Sequence, residues 1–145
     1  MISVDGREAL RALANRPAVV TIDLHRGHLD PEVATLPMPA DRAAALMERV
    51  VPLLDRYRAA GLPVFHLVTW YRDRSEILSN PIWRYRAERA AGLRKRIADH
   101  NIDGMPGIEL MPGIARPGDR ILTTKKRYDC FVGTDLEFRP SLGRP

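Results

Sequence analysis

A chain of 145 residues, 45% hydrophobic and 28% charged, has length for one core rather than two, since domains usually take about 100–200 residues. Its formal net charge of +5 comes mainly from arginines scattered among Asp and Glu. They form no phosphate-tracking stripe, so no nucleic-acid partner is expected.

The apolar stretches fall far short of the roughly 20 residues that cross a bilayer, so no membrane partner is expected. "MISVDGREALRALANRP" at the N-terminus carries acidic residues and no apolar core of a secretory leader. A single cysteine forms no internal disulfide, which fits a reducing compartment and makes the cytoplasm the expected location.

In chain order, Asp5 and Glu8 form a capping pair ahead of Ala9, Leu10 and Leu13, so a helix is expected there, ended by Pro17. "AVVTIDLH", Ala18–His25, is short, apolar and β-branched. Its unbroken hydrophobicity predicts a parallel strand buried on both faces. Asp41 is placed to cap a helix reaching Ala60, with Leu46, Val50, Leu54 and Tyr57 on one face. Pro52 should kink that helix, and Gly61 and Pro63 should stop it. Pro63–Tyr71 reads as a second buried strand, Pro81–His100 as a helix basic on its wet face, and Arg120–Thr124 as a third strand after a Gly/Pro-rich loop.

Strands alternating with helices give an α/β fold, with a mostly parallel sheet, flanking helices and right-handed crossovers. Ligands of such folds bind beyond the carboxyl ends of the strands. That rule puts Asp23, Tyr71 and Lys125 at one rim. A carboxylate in an apolar strand is costly to bury alone, and Lys125, ending "ILTTK", is the natural partner for Asp23. Such a pair can act as base and electrostatic partner of a nucleophile, or fix strand ends as a structural ion pair.

The other candidates carry less. Cys130 lies near Lys125, Lys126 and Arg127, yet a lone cysteine is commonly a small buried hydrophobe, and no helix N-terminus supplies oxyanion-binding amides beside it. "DLHRGHLD" offers Asp23, His25, His28 and Asp30, but in an irregular loop this spacing imposes no shared face, and no metal ligand set is assigned. His66 reads as a satisfied core histidine. Trp70, Tyr71, Trp83 and Tyr85 suit either a pocket or packing. No Gly-rich phosphate loop is present, and no cofactor is expected.

"AVVTIDLHRGHLD", "AAGLPVFHLVTWYRD", "PGIELMPGIARPGDRIL" and above all "TKKRYDCFVGTDLE" resemble the isochorismatase-like cysteine hydrolases over essentially the chain up to Glu137. The resemblance implies a Rossmann-like α/β domain whose members hydrolyse small amides or related bonds through an Asp–Lys–Cys triad. It makes Asp23 the triad Asp and Lys125 the triad Lys. It also implies a nucleophilic Cys well beyond the "GTDLE" block, after a fourth strand and at the start of a helix. Cys130 does not occupy that place, and "RPSLGRP" departs from the family pattern.

Residues 1–145 are therefore expected to be a single, incomplete hydrolase domain, truncated to its N-terminal half and inactive as it stands. The alternative is a catalytically dead remnant serving as a binding subunit. Its partners are expected to be a small-molecule substrate and a second copy, held through the open edge of the first strand. Nicotinamidase-type relatives carry a D-x-H metal motif after the second strand, which "HLVTWYRDRSEI" lacks. No metal is expected on that ground.

Overall fold

A computed structural model describes residues 18–92 and 96–136. The helix expected between Asp5 and Leu13 lies outside the described residues, as does the tail beyond Leu136. The elements are β1 (Val19–Ile22), α1 (Arg26–Leu29), α2 (Ala40–Ala59), β2 (Val64–Thr69), α3 (Arg74–Leu78), α4 (Pro81–Glu88) and β3 (Arg120–Lys125), with 3₁₀ turns at Ile97–Asp99 and Pro106–Ile108. The strands form one parallel sheet in the order β1-β2-β3. The architecture is thus α/β with a parallel sheet and flanking helices, as the alternation of elements predicts. No described helix is long and apolar enough to cross a membrane.

β2 is the central strand, and all six of its residues are buried. β1 differs from the expectation of burial on both faces. It is the edge strand of the described sheet, and Val20 and Ile22 stay 40% and 48% exposed. Their neighbours in register, Phe65 and Leu67, are buried with Leu122, and Cys130 and Leu136 pack on that face. The opposite face holds the larger core. There Ala43 and Leu54 of α2 meet Leu24, Leu29, Val64 and Ile114, flanked by Leu46, Val50 and Val51.

Helix boundaries follow local chemistry. α2 starts one residue ahead of Asp41, after Pro39, and Asp41 sits in its first turn where the helix dipole favours an acid. The helix runs unbroken through Pro52, at the cost of one backbone hydrogen bond. Asp73 caps α3 by accepting from the Glu76 amide, while Glu76 accepts from the Arg72 amide one residue before the cap. Asn80 caps α4, with Pro81 in its first turn.

The single helix expected over Pro81–His100 is not formed. α4 ends at Glu88, and Gly92 takes a left-handed φ of 59° that an α-helix cannot contain. Between β2 and β3 the ladder slips by one residue, so that Leu67 faces Leu122 but Thr69 faces Lys125.

A polar chain crosses the buried face of the sheet. Thr21 Oγ1 donates to His66 Nδ1 (2.6 Å), and His66 Nε2 donates to Asp119 Oδ2 (3.1 Å). Arg58 grips Asp119 with Nε and Nη2 at 3.1 and 2.6 Å, and Nη2 also reaches the Ile114 carbonyl. The end of α2 is thereby tied to the start of β3. This satisfied His66 matches the core role read from the sequence.

Burial alone would raise the Asp119 pKa. Arg58, His66 and the Arg116 amide outweigh burial and hold it at about 2, against 3.8 ordinarily. Burial pushes His66 below its ordinary 6.5, although Asp119 pulls the other way. Both shifts make the unfolded chain bind protons more readily than the folded one, so both contributions shrink on acidification.

Stability should decline as pH falls below about 6.5, where unfolded His66 protonates, and again between 3.8 and about 2 as Asp119 is titrated. Asp119→Asn should shrink the lower step, which Asp23 shares, and cost about 3 kcal/mol at neutral pH, because Arg58 loses its buried partner and keeps only the exposed Asp55. Urea midpoints at several pH values measure both effects, and an unchanged profile in the variant would refute the assignment. At Gly27, an added Cβ would overlap Asn101 Oδ1 and lie 3.0 Å from the Gly107 carbonyl oxygen. Gly27→Ala should cost about 1–3 kcal/mol by overpacking α1 against the 101–107 segment, seen as a lower denaturation midpoint.

Candidate active site

Because the strands are parallel, their carboxyl ends share one rim. Asp23 follows β1 with a φ of 58°, in the left-handed region where a side chain costs roughly 1–2 kcal/mol. Its neighbours hold it there. The Asp23 amide donates to the Leu67 carbonyl (2.9 Å), and its Oδ1 accepts from the Thr69 amide and hydroxyl (3.2 and 2.8 Å). Lys125, at the end of β3, donates from Nζ to Asp23 Oδ2 at 2.7 Å and to Thr69 Oγ1 at 2.6 Å. The Thr69 hydroxyl thus accepts from the ammonium and passes its own proton toward the carboxylate. All three strands contribute one end-group to this knot.

The pair is well shielded, with side-chain exposures of 24% for Asp23 and 5% for Lys125. Burial by itself would raise the Asp23 pKa. His25, Lys125 and Thr69 more than offset it and hold the carboxyl far below its ordinary 3.8. Asp23 is therefore ionised across the physiological range, and the pair is a true ion pair.

The pair opens onto a cavity of about 560 Å³, whose lining includes Tyr71, Trp83, His28 and His100. Trp83 of α4 stacks on Tyr128 at 6.1 Å between centroids, and Arg86 Nη1 donates to the Tyr128 hydroxyl at 2.9 Å. These contacts join α4 to the loop after β3. Tyr71 donates to the Lys126 carbonyl (3.3 Å), and Lys126 Nζ donates to the Trp70 carbonyl and pairs with Glu76 at 3.2 Å. Lys126 is thus engaged with the strand end and α3, while Lys125 faces the carboxylate.

The structure brings Asp23, Tyr71 and Lys125 together at the rim. Cys130 packs against Phe65, Leu67 and Leu122, and its Sγ lies 3.7 Å from the Tyr128 carbonyl. Burial pushes this thiol above its ordinary 9.0 despite the pull of Lys125, so it is protonated near neutrality. Tyr85 is exposed on α4 beneath Arg89 and does not line the cavity.

The histidines are a different finding. His25 and His28, read as lying in an irregular loop, are the N-cap of α1 and a residue within it, and they stack at 4.7 Å between centroids. His100, from a distant loop, approaches His28 at 4.7 Å and His25 at 5.7 Å. Burial lowers the pKa of His28 and drives that of His100 to about 2, with the neighbouring imidazoles adding to the effect. The i, i+3 spacing of His25 and His28 was the available signal, but it has meaning only once the segment is helical.

Comparison with known proteins bears on this geometry. The family model for the isochorismatase domain matches residues 17–139. No curated protein matches the chain. Among solved structures, a cysteine hydrolase from Pseudomonas syringae pv. phaseolicola 1448A superposes with a TM-score of 0.61 at 23% identity, over 85% of this chain and 52% of that one. An isochorismatase family protein from Desulfovibrio vulgaris gives 0.58 at 26% identity, over 83% and 58%. N-carbamoylsarcosine amidase from Thermoplasma acidophilum gives 0.57 at 26% identity, over 85% and 59%. The chain therefore spans little more than half the length of the structures it resembles. With its parallel α/β sheet and a family match over most of its residues, the chain belongs to the isochorismatase family.

Proposed function

We propose that Asp23 and Lys125 are the carboxylate and ammonium of a cysteine-hydrolase site that cleaves a small amide or related C–N bond. One observation carries the reading: a largely shielded 2.7 Å ion pair, built from two strand ends and a left-handed aspartate, at the edge of a ligand-sized cavity. Perturbed carboxylates and retained backbone strain cluster at functional sites. The resemblance to an N-carbamoylsarcosine amidase supports amide chemistry.

The chemistry requires a thiol beside this pair. An Asp held so far below its ordinary pKa is a weak base while Lys125 has no other anion to serve. A thiol brought against Lys125 shares the ammonium's field, which lowers the thiol's pKa and weakens the hold on the carboxylate. The proton can then pass from sulfur to Asp23. The thiolate attacks the carbonyl carbon, the amine leaves with a proton, and water releases the acyl group.

Cys130 is poorly suited to the attack, being kept neutral and packed on Phe65 and Leu67. We assign the nucleophilic thiol to a segment outside residues 1–145, pairing along the open edge of β1 where Val20 and Ile22 are exposed. Without that segment, residues 1–145 are inactive and the same edge associates with a second copy.

The test joins residues 1–145 to the C-terminal half of a family member and follows hydrolysis of a panel of small amides. The fusion should be active and residues 1–145 alone silent. Asp23→Asn in the fusion should lower kcat/KM by about 10⁴-fold, the scale for loss of a triad carboxylate. An active fusion indifferent to Asp23→Asn would refute the assignment. Sedimentation of residues 1–145 should show self-association that Ile22→Lys reduces, and a monodisperse monomer would remove the edge from the proposal.

A further inference from the structure

From the arrangement of His25, His28 and His100 we infer that the cavity contains a binding site for a divalent transition-metal ion of the zinc or cobalt type. One ring nitrogen from each histidine lies within 4.8 Å of the other two. Neighbouring ligand atoms around tetrahedral zinc lie about 3.4 Å apart, as Zn–N bonds of about 2.0–2.1 Å require, so modest ring rotations close the set. Three imidazoles are a donor set that zinc, cobalt, nickel and copper accept, and one that calcium and magnesium, which take oxygen, do not.

The hydrogen bonds around the rings separate this cluster from ordinary core packing. His28 Nδ1 lies 2.9 Å from the Leu36 carbonyl, which can only accept, so Nδ1 carries the proton and Nε2 keeps its lone pair. His100 Nδ1 is engaged by Thr35 Oγ1 at 2.8 Å. Neither Nε2 has a hydrogen-bond partner among the described residues, and both rings border the cavity. Ligand histidines are usually oriented in this way, one nitrogen anchored to a carbonyl or hydroxyl and the other left for the metal.

His25 closes the third side, fully buried, with Asp23 Oδ1 at 3.6 Å from its Nε2 and Asn101 Nδ2 at 2.8 Å from Nε2 and 3.3 Å from Nδ1. Asn101 Nδ2 also donates to the Thr69 carbonyl, and the ion would take over the ring nitrogen that the amide now holds. Asn101 is itself held in a left-handed backbone, φ 51°, and its Oδ1 has no hydrogen-bond partner. Asp23 and Lys125 cancel as a pair, so a divalent ion would meet no uncompensated cation from that pair.

These ligands come from α1 and from the loop after the Ile97–Asp99 turn, not from a D-x-H motif after β2. The ion would leave a coordination position toward the cavity for water or a substrate oxygen. The site does not depend on the hydrolase assignment, because its ligands are different residues.

The test uses residues 1–145 stripped of metal with a chelator, titrated with Co²⁺ by visible absorption and with Zn²⁺ by calorimetry. One equivalent should bind, with the intense visible bands of low-coordinate cobalt, and Zn²⁺ should raise the thermal midpoint of the unvaried chain. His28→Asn retains a donor for the Leu36 carbonyl and removes Nε2, and His100→Asn removes the second ligand. Each should weaken binding at least about 100-fold with unchanged far-UV circular dichroism. Thr35→Val should weaken it roughly 10-fold by releasing the anchor of His100. Failure of the unvaried chain to bind one equivalent or gain thermal stability would overturn the inference, as would full affinity in both histidine variants.

Discussion

The rim is organised around a carboxylate that has nowhere else to go. Asp23 leaves β1 under an apolar core, in a backbone conformation that only its own hydrogen bonds make tolerable. Its charge must be met within a few ångströms, and Lys125, two strands away, is the group that meets it. Thr69 stands between them on β2 and bonds to both. Removing any of the three leaves a buried charge or hydroxyl unpaired, a larger loss than the net value of the bonds themselves. The rim is thus cooperative: its parts are stable together and costly apart.

The same physics explains how much could be read beforehand. The strands were legible because short, unbroken apolar runs bounded by Pro and Gly have few other uses. The Asp23–Lys125 pair was legible because an acid inside "VVTIDLH" demands a cation, and a parallel sheet puts strand ends together. The exposed half of β1 was not legible in its composition, since Val20 and Ile22 read as buried residues wherever they fall. It follows instead from β1 lying at the edge of the described sheet.

The histidine cluster and the broken helix were missed for a different reason. His25 and His28 are three apart in a stretch with no periodic apolar pattern, and α1 is a single turn supported by tertiary contact, notably Gly27 against Asn101. His100 enters from a loop far along the chain, so no local rule could join it to the others. In Pro81–His100, helix-forming alanines and arginines concealed Gly92, where the backbone turns left-handed. In each case a distant contact or one backbone angle overrode a reasonable local preference.

The one-residue slip in the β2–β3 ladder bears on how this scaffold can be altered. In a strand, adding or removing a residue turns every later side chain over to the other surface. Here the extra residue before Lys125 is what lets the lysine stand opposite Thr69. The spacing between Leu122 and Lys125 is therefore a matter of count as much as of chemistry. Chimeras that exchange the residues of this stretch freely but keep their number should hold the ammonium in place, whereas one inserted residue would turn it away from Asp23.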